Sequence, residues 1–198
     1  MILYLHGFKS SPASFKARLI GEALAKRGRA ADYRCPQLPA SPAEAIHQAM
    51  QIAESVPAAS LCLIGSSLGG FYATWIAERL GCRAVLLNPA VQPPRELSQY
   101  VGTSRAYHSD APFEFKAEYV DQLRALAVPA ISLPQRYFLI AATGDEVLDW
   151  REMRDHYRGA RQRIIEGSDH GLSDFASYLD EVLAFCDTEN TADTAPAR

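Results

Sequence analysis

The stretch "LCLIGSSLGGFYATWIAERLG", residues 61–81, joins an apolar run typical of a buried strand to a helical pattern. The turn between them carries the pattern G-x-S-x-G at residues 65–69. In such a strand-to-helix turn the serine backbone is strained and its hydroxyl stands clear of the chain. The residues two before and two after the serine come close together, so only very small side chains fit there. The pattern therefore predicts a nucleophilic serine.

Two adjacent serines compete for this role, and the steric rule separates them. Ser67 has Gly65 before it and Gly69 after it, at the two crowded positions. Ser66 would instead place an isoleucine and a leucine there. The sequence therefore predicts Ser67 as the nucleophile.

Short apolar runs alternate with helical patterns along the rest of the chain, for example "MILYL", "RAVLL" and "RYFLIAA". This alternation predicts an α/β fold with a parallel sheet of about six strands, right-handed crossovers and helices on both faces. We expect one domain over residues 1–187. Residues 91–130 are predicted to form a small cap insertion with one helix from about Glu114 to Ala127. Residues 188–198 hold almost no large apolar side chain and are predicted to be disordered.

Composition excludes several functional classes. The formal net charge is -3 and the basic residues are scattered, so we expect neither a nucleic-acid partner nor a membrane surface. The four cysteines form no C-x-x-C pair, which argues against a bound metal and against a disulfide framework. No signal-like segment or membrane-length apolar run precedes the first predicted strand, so the expected location is the cytoplasm.

A serine hydroxyl needs a base and an orienting acid to react at neutral pH. Of the five histidines, His170 follows the last predicted strand and precedes the last helix, at the end of the sheet where ligands bind. Asp145 comes first after the preceding strand, whereas Asp149 is better explained as a helix cap. Asp169 is a weak rival, because it is adjacent to the histidine. The order Ser, Asp, His is that of the α/β-hydrolase architecture.

Acyl transfer also requires donors for the oxyanion of the tetrahedral intermediate. The amide of Leu68 is a candidate, since it begins the helix after Ser67. The second candidate is the amide of Phe8, which follows the first strand within "YLHGFKSS". His6 in the same segment is interpreted as a loop hydrogen-bonding residue.

Five segments together resemble the YqiA-like esterases, a group of small bacterial α/β-hydrolases. They are "YLHGFKSSPASFKA", "GSSLGGFYATWIAE", "LLNPAVQP", "GDEVLDW" and "GSDHGLSDF", and the similarity extends to about Asp187. The resemblance implies a reduced hydrolase sheet without the first two strands of the superfamily. It also implies a triad of Ser67, Asp145 and His170, and esterase or thioesterase activity on acyl substrates with no cofactor.

The substrate pocket is the least determined feature. Aromatic residues of the insertion either roof an acyl pocket or form a small hydrophobic cluster that covers the sheet; they are Tyr107, Phe113, Phe115 and Tyr119. An insertion of about 40 residues is too short for a large lid, so small or slender acyl groups are expected. Two alternatives stay open: an acyltransferase or peptidase with the same triad, and a non-catalytic binding module. The sequence predicts no oligomeric state.

Overall fold

A computed structural model of the chain describes residues 1–105 and 112–188. Six strands form one parallel sheet in the order β2-β1-β3-β4-β7-β8, and β5 and β6 form a separate antiparallel pair. The strands are β1 (Ile2–Leu5), β2 (Tyr33–Arg34), β3 (Cys62–Ser66), β4 (Arg83–Leu87), β5 (Gly102–Arg105), β6 (Pro112–Phe115), β7 (Tyr137–Ala142) and β8 (Arg161–Ile165). The predicted sheet of about six parallel strands is confirmed.

Helices cover both faces of this sheet. They are α1 (Phe15–Lys26), α2 (Pro42–Ala53), α3 (Leu68–Leu80), α4 (Pro93–Leu97), α5 (Ala117–Ala125), α6 (Trp150–His156) and α7 (Leu179–Asp187). On one face α1 and α7 pack against strand side chains, with Ile20, Ile64 and Val182 all fully buried. On the other face α2, α3, α5 and α6 do the same around Leu63 and Leu139. Both faces of the sheet are therefore shielded from water by helices, as the continuous apolar runs of the strands predict.

Local capping signals set the helix ends. Ser41 is the N-cap of α2, and its hydroxyl accepts a hydrogen bond from the amide of Glu44 at 3.4 Å, with Pro42 in the first turn. Gly81 ends α3 in the left-handed conformation, with φ of 75°. Both residues follow general capping rules, which favour serine at the N-cap and glycine directly after the last helical residue.

The insertion differs from its prediction. Helix α5 is shorter than the predicted span from Glu114 to Ala127, because Glu114 and Phe115 lie in β6 and pair with β5. Phe115 is buried and Glu114 is exposed, an alternation typical of a half-buried strand. Gln122 of α5 accepts hydrogen bonds from the Ser41 hydroxyl and the Ala43 amide, both at 3.0 Å, and so fixes α5 to α2.

Three further expectations concern the undescribed residues, membrane-spanning helices and metal sites. Tyr107 and residues 189–198 of the predicted disordered tail lie outside the described residues. In the ranges 1–105 and 112–188, no helix combines the length and apolar content needed to cross a membrane. The same ranges hold no group of three or more His, Cys, Asp and Glu side chains that could hold a metal ion.

Replacement of Ser41 tests whether its side chain stabilises the start of α2. Ser41→Ala removes the acceptor for the Glu44 amide and the donor to Gln122, so we expect it to lower the free energy of unfolding by about 1 kcal/mol. Urea denaturation measures the change. The matched control is Ser60→Ala at an exposed position, for which we expect a change within about 0.5 kcal/mol. Equal effects of the two replacements would show that the cap does not stabilise α2.

Candidate active site

Ser67 sits in the turn between β3 and α3 with strained backbone angles, φ of 53° and ψ of -122°. Neighbouring glycines make room for the turn. A methyl group on Gly65 would lie 2.3 Å from the carbonyl oxygen of Gly69, and one on Gly69 would lie 1.9 Å from that of Leu5. Both distances are far below van der Waals contact, so no larger residue fits without backbone movement. This geometry follows the steric rule that distinguishes Ser67 from Ser66.

Three backbone hydrogen bonds hold the strained serine in place. The Ser67 amide donates to the carbonyl oxygen of Leu87 at 3.0 Å, at the end of β4. Its own carbonyl oxygen accepts from the amides of Gly70 at 2.9 Å and Ala90 at 3.1 Å. The unfavourable φ is thus offset by bonds to the helix and to the neighbouring strand, and the hydroxyl is left to project away from the turn.

The imidazole of His170 bridges Ser67 and Asp145. Its Nε2 atom lies 3.0 Å from Ser67 Oγ, and its Nδ1 atom lies 2.8 Å from Asp145 Oδ2. Because a carboxylate only accepts, Nδ1–H donates to Asp145, and the neutral ring then accepts the hydroxyl proton of Ser67 at Nε2. The His170 side chain is 21% exposed and that of Asp145 is 0% exposed. A partly exposed imidazole is thus hydrogen-bonded to a buried carboxylate.

The Asp145 carboxylate is fixed by its own loop. Its Oδ1 atom accepts hydrogen bonds from the amides of Val147 and Leu148, both at 2.8 Å, while Oδ2 accepts from His170. Three donors offset the cost of removing the carboxylate from water. They also leave Oδ2 aimed at the imidazole.

Asn88 joins the end of β7, which precedes Asp145, to the loop of His170, and sequence reasoning missed it. Its Oδ1 atom accepts from the amide of Ala142 at 2.8 Å, and Nδ2 donates to the carbonyl oxygens of Asp169 at 3.0 Å and His170 at 3.1 Å. The residue is 0% exposed. A signal was present, because Asn88 is a polar residue directly after a buried strand, which is the criterion that selects Asp145.

The rival acids have other roles. Asp149 is the N-cap of α6 and accepts from the amide of Arg151 at 2.8 Å, as predicted. The Oδ1 atom of Asp169 accepts from the amide of Ser173 at 2.9 Å, which ties the carboxylate to its own turn. Glu146, next to Asp145, accepts from the backbone amide of His170 at 3.0 Å and supports the loop of the base.

The loop after β1 passes directly against the serine. A methyl group on Gly7 would lie 3.1 Å from Ser67 Cβ, so this backbone approaches the candidate nucleophile closely. His6 is buried; its Nε2 accepts from the Leu38 amide at 3.0 Å and its Nδ1 lies 3.0 Å from the Gly7 carbonyl oxygen. This agrees with the interpretation of His6 as a loop residue.

The predicted oxyanion donors belong to the same region. Leu68 is the first residue of α3, where backbone amides have no intrahelical acceptor. Phe8 and Leu68 both line the cavity onto which Ser67 and His170 open. The use of their amides as oxyanion donors remains a prediction.

The cavity beside Ser67 has a volume of about 760 Å³. One part of its wall is apolar and another is polar or charged. The apolar and aromatic lining residues include Phe8, Phe15, Leu68, Ala90, Leu97, Tyr100, Val147 and Leu148. The polar and charged side chains include Tyr4, Ser10, Ser14, Lys16, Arg95, Glu96, Gln99 and Glu146.

Of the two arrangements left open for the aromatic residues of the insertion, the structure shows a hydrophobic cluster for Phe113, Phe115 and Tyr119. Phe113, Phe115 and Tyr119 are absent from the cavity wall. Phe113 and Phe115 each contact the Phe8 ring edge-on, with centroids 5.1 Å apart, and Tyr119 contacts Phe115 at 5.6 Å. Pairing in β6 turns the two phenylalanines towards the core, so they support a wall residue. Leu97 and Tyr100, after β4, line the cavity instead.

Comparisons with known proteins agree with this architecture. The sequence model of the Uncharacterised protein family (UPF0227) matches residues 1–187. A candidate hydrolase from Agrobacterium vitis S4 superposes with a TM-score of 0.73 at 17% identity, over 94% of this chain and 87% of that chain. Alpha/beta hydrolase domain-containing protein 10 from mouse gives 0.70 at 14% identity, over 92% and 89%. Carboxylesterase CesB (YbfK) from Bacillus subtilis gives 0.56 at 16% identity, over 94% and 83%. The predicted α/β-hydrolase fold is confirmed.

The close backbone approach at the turn can be tested by adding one methyl group. We expect Gly69→Ala to lower the free energy of unfolding by about 3 kcal/mol, because its Cβ would overlap the Leu5 carbonyl oxygen. The matched control is Gly28→Ala, where φ is 72° but nothing lies within 4 Å of the added atom. For this control we expect the free energy of unfolding to fall by only about 1 kcal/mol, because alanine is disfavoured at a positive φ. A smaller loss for Gly69→Ala than for the control, measured by chemical denaturation, would contradict the packing described.

Proposed function

The chain belongs to the Uncharacterised protein family UPF0227, and we propose that it is a serine hydrolase that cleaves carboxylic esters or thioesters. The family match confirms the resemblance to the YqiA-like esterases that the motifs indicate. The observation that carries the proposal is the contact of one imidazole, His170, with both the Ser67 hydroxyl and the buried Asp145 carboxylate. A protein that only binds a ligand has no use for a serine hydroxyl that is hydrogen-bonded to an imidazole, which in turn is hydrogen-bonded to a buried carboxylate.

In the first step the Ser67 oxygen attacks the carbonyl carbon of the substrate. Nε2 of His170 accepts the hydroxyl proton while the new C–O bond forms, and the carbonyl π electrons move to the oxygen. Asp145 keeps Nδ1 protonated and stabilises the imidazolium that results. The 3.0 Å separation of Nε2 and Oγ is within the range needed for this transfer.

The oxyanion formed in this step needs fixed donors. We assign this role to the backbone amides of Phe8 and Leu68, each worth about 3 kcal/mol in the transition state. The Leu68 amide lies at the positive end of the α3 dipole. The approach of Gly7 to Ser67 supports a position for the Phe8 amide on the opposite side.

Collapse of the intermediate completes the reaction. The imidazolium of His170 gives its proton to the departing oxygen or sulfur, the bond from the acyl carbon to that atom breaks, and an acyl-enzyme remains on Ser67. His170 then takes a proton from water, whose oxygen attacks the acyl carbon. The bond from that carbon to Ser67 Oγ breaks, His170 returns the proton to Oγ, and the acid is released. The reaction thus proceeds with three side chains, two backbone amides and water.

The cavity supports a preference for small or slender acyl groups. A volume of about 760 Å³ lies within the range of small-molecule sites. Phe8, Leu97 and Tyr100 supply apolar surface for a hydrocarbon chain. All four cysteines are unpaired thiols, which supports a reducing compartment such as the cytoplasm.

Replacement of the nucleophile gives the primary test. Ser67→Ala should lower kcat for p-nitrophenyl butyrate and butyryl thioesters by at least about 10³, because no acyl-enzyme can form. The matched control is Ser66→Ala, for which we expect a loss below about tenfold, since His170 accepts its hydrogen bond from the hydroxyl of Ser67 and not from that of Ser66. Full activity of Ser67→Ala would refute the proposal. Transfer of the acyl group to an added alcohol or amine in place of water would indicate an acyltransferase.

The orienting acid can be tested by an isosteric change. In Asp145→Asn an amide replaces the carboxylate that accepts from Nδ1–H, which favours the wrong imidazole tautomer, so kcat should fall by roughly 10³ to 10⁴. Asp149→Asn is the matched control four residues further along. Asn is also a good N-cap, so this variant should retain its activity and stability. Similar kcat values for the two variants would exclude Asp145 as the orienting acid.

A further inference from the structure

Lys16 places a positive charge in the wall of the cavity. It lies on the face of α1 that also carries Ile20 and Leu24, and it is only 9% exposed. Its side chain lines the cavity together with Ser67 and His170. A lysine on the buried stripe of a helix is rare, because removing an ammonium from water is costly.

The ammonium of Lys16 has few partners within the protein. Nζ donates one hydrogen bond, to the carbonyl oxygen of Gly171, the residue after His170. In the described part of the chain no carboxylate forms an ion pair with it; Asp169 and Asp145 act on it only at longer range. An ammonium has three N–H donors, so two remain for a group within the cavity.

The charge of Lys16 persists at neutral pH. Burial lowers the pKa of the lysine to about 8, and the longer-range attraction of Asp169 and Asp145 opposes this shift. Since the pKa is still above 7, most molecules keep the ammonium protonated there. The proposed reaction does not use this charge.

Two hydroxyl groups accompany the ammonium in the cavity wall. Ser14 is the N-cap residue of α1, yet its side chain makes no capping bond; its buried Oγ has no hydrogen-bond partner of normal geometry among the described residues, and the Tyr4 hydroxyl, which also interacts with Ser66, lies beside it. Tyr4 lines the same cavity. Burial raises the pKa of its phenol, so it stays a neutral hydroxyl. A buried polar group left unpaired costs free energy unless a ligand satisfies it.

The charges around the cavity favour a ligand with a single negative charge. Arg95 also lines the cavity, but it is paired with Glu152 through two hydrogen bonds, at 3.1 and 2.6 Å. Glu96 and Glu146 line the cavity as well, and their carboxylates would repel a dianion such as a phosphate monoester. One available ammonium therefore matches one carboxylate.

We propose that Lys16, with the hydroxyls of Ser14 and Tyr4, binds a carboxylate of the substrate, so that the preferred ester or thioester is a monoanion. This inference rests on the proposed function, because it identifies the substrate class of the same cavity. The carboxylate belongs either to the acyl part or to the leaving group. The chemistry of recognition is the same for both.

Two pairs of esters distinguish a carboxylate on the acyl part from a carboxylate on the leaving group. For the acyl part, the pair is p-nitrophenyl hydrogen adipate and its neutral methyl ester. For the leaving group, the pair is the butyrate esters of 3-hydroxybenzoate and of methyl 3-hydroxybenzoate. We expect kcat/KM to favour the anion over its neutral partner by at least about tenfold in one pair, mainly through KM, because a charge-assisted hydrogen bond is involved.

Lys16→Met keeps the length of the side chain and removes its charge. The anion-to-neutral ratio should then fall to about one, whereas Lys26→Met, at the exposed end of the same helix, should leave the ratio as in the wild type. We also expect Lys16→Met to unfold at the same temperature as the wild type or higher, because it buries a thioether in place of an ammonium. The unfolding temperature thus separates a role of Lys16 in substrate binding from a role in stabilising the fold.

Three results would overturn the inference: no preference for either anion in the wild type, a preference that persists in Lys16→Met, or an equal loss of kcat for both members of each pair. The last would make Lys16 only a support for the Gly171 loop. If the wild type hydrolyses none of the esters, the proposed function fails by itself. Calorimetry with monomethyl adipate on Ser67→Ala then decides the carboxylate site: binding that Lys16→Met abolishes supports it, and no binding rejects it.

Discussion

The hydrogen bond between His170 Nε2 and Ser67 Oγ is the contact on which the candidate site depends. It joins residues that are far apart in the chain, and it exists because parallel strands bring their carboxyl ends to one edge of the sheet. Ser67 follows β3 and His170 follows β8, the edge strand, with β4 and β7 between them. The two loops must therefore extend across two strands to meet. Asn88, at the end of β4, spans part of this distance through its bonds to the backbones of Ala142 and His170.

Close backbone packing is the second requirement for this contact. The glycines at 65 and 69 allow the turn of Ser67 to lie against the end of β1, and Gly7 brings the following loop against the serine. A loop this near can present an amide to an oxyanion, whereas a larger residue at any of the three positions would displace it. The strain at Ser67 is offset by bonds to β4 and α3. Stability and the geometry of the site thus depend on the same few backbone contacts.

Local rules in the sequence predict much of this arrangement. The choice of Ser67 over Ser66 follows from sterics within five residues, and the placement of Asp145 and His170 follows from their positions after strands. The cap at Asp149 is also local, and the structure has it as predicted. Each of these inferences needs only neighbouring residues and the general rule for parallel sheets.

The remaining features depend on contacts between distant segments, which one sequence does not reveal. The sequence left open whether Phe113 and Phe115 line the cavity or form a hydrophobic cluster, and pairing of β5 with β6 directs them to the Phe8 ring. The same pairing shortens the predicted helix of the insertion. Lys16 stands on the buried face of α1, and its importance follows only from the cavity that α1 shares with the loop of His170.

The most direct test of the central claim is to locate the adduct of a serine-reactive alkyl phosphonate by mass spectrometry of peptide fragments. The account predicts one phosphonyl group, on the Ser67 oxygen, formed much more slowly in the Asp145→Asn variant, whose imidazole is held in the wrong tautomer. An adduct on Ser66, or no adduct under conditions that label known serine esterases, would contradict it.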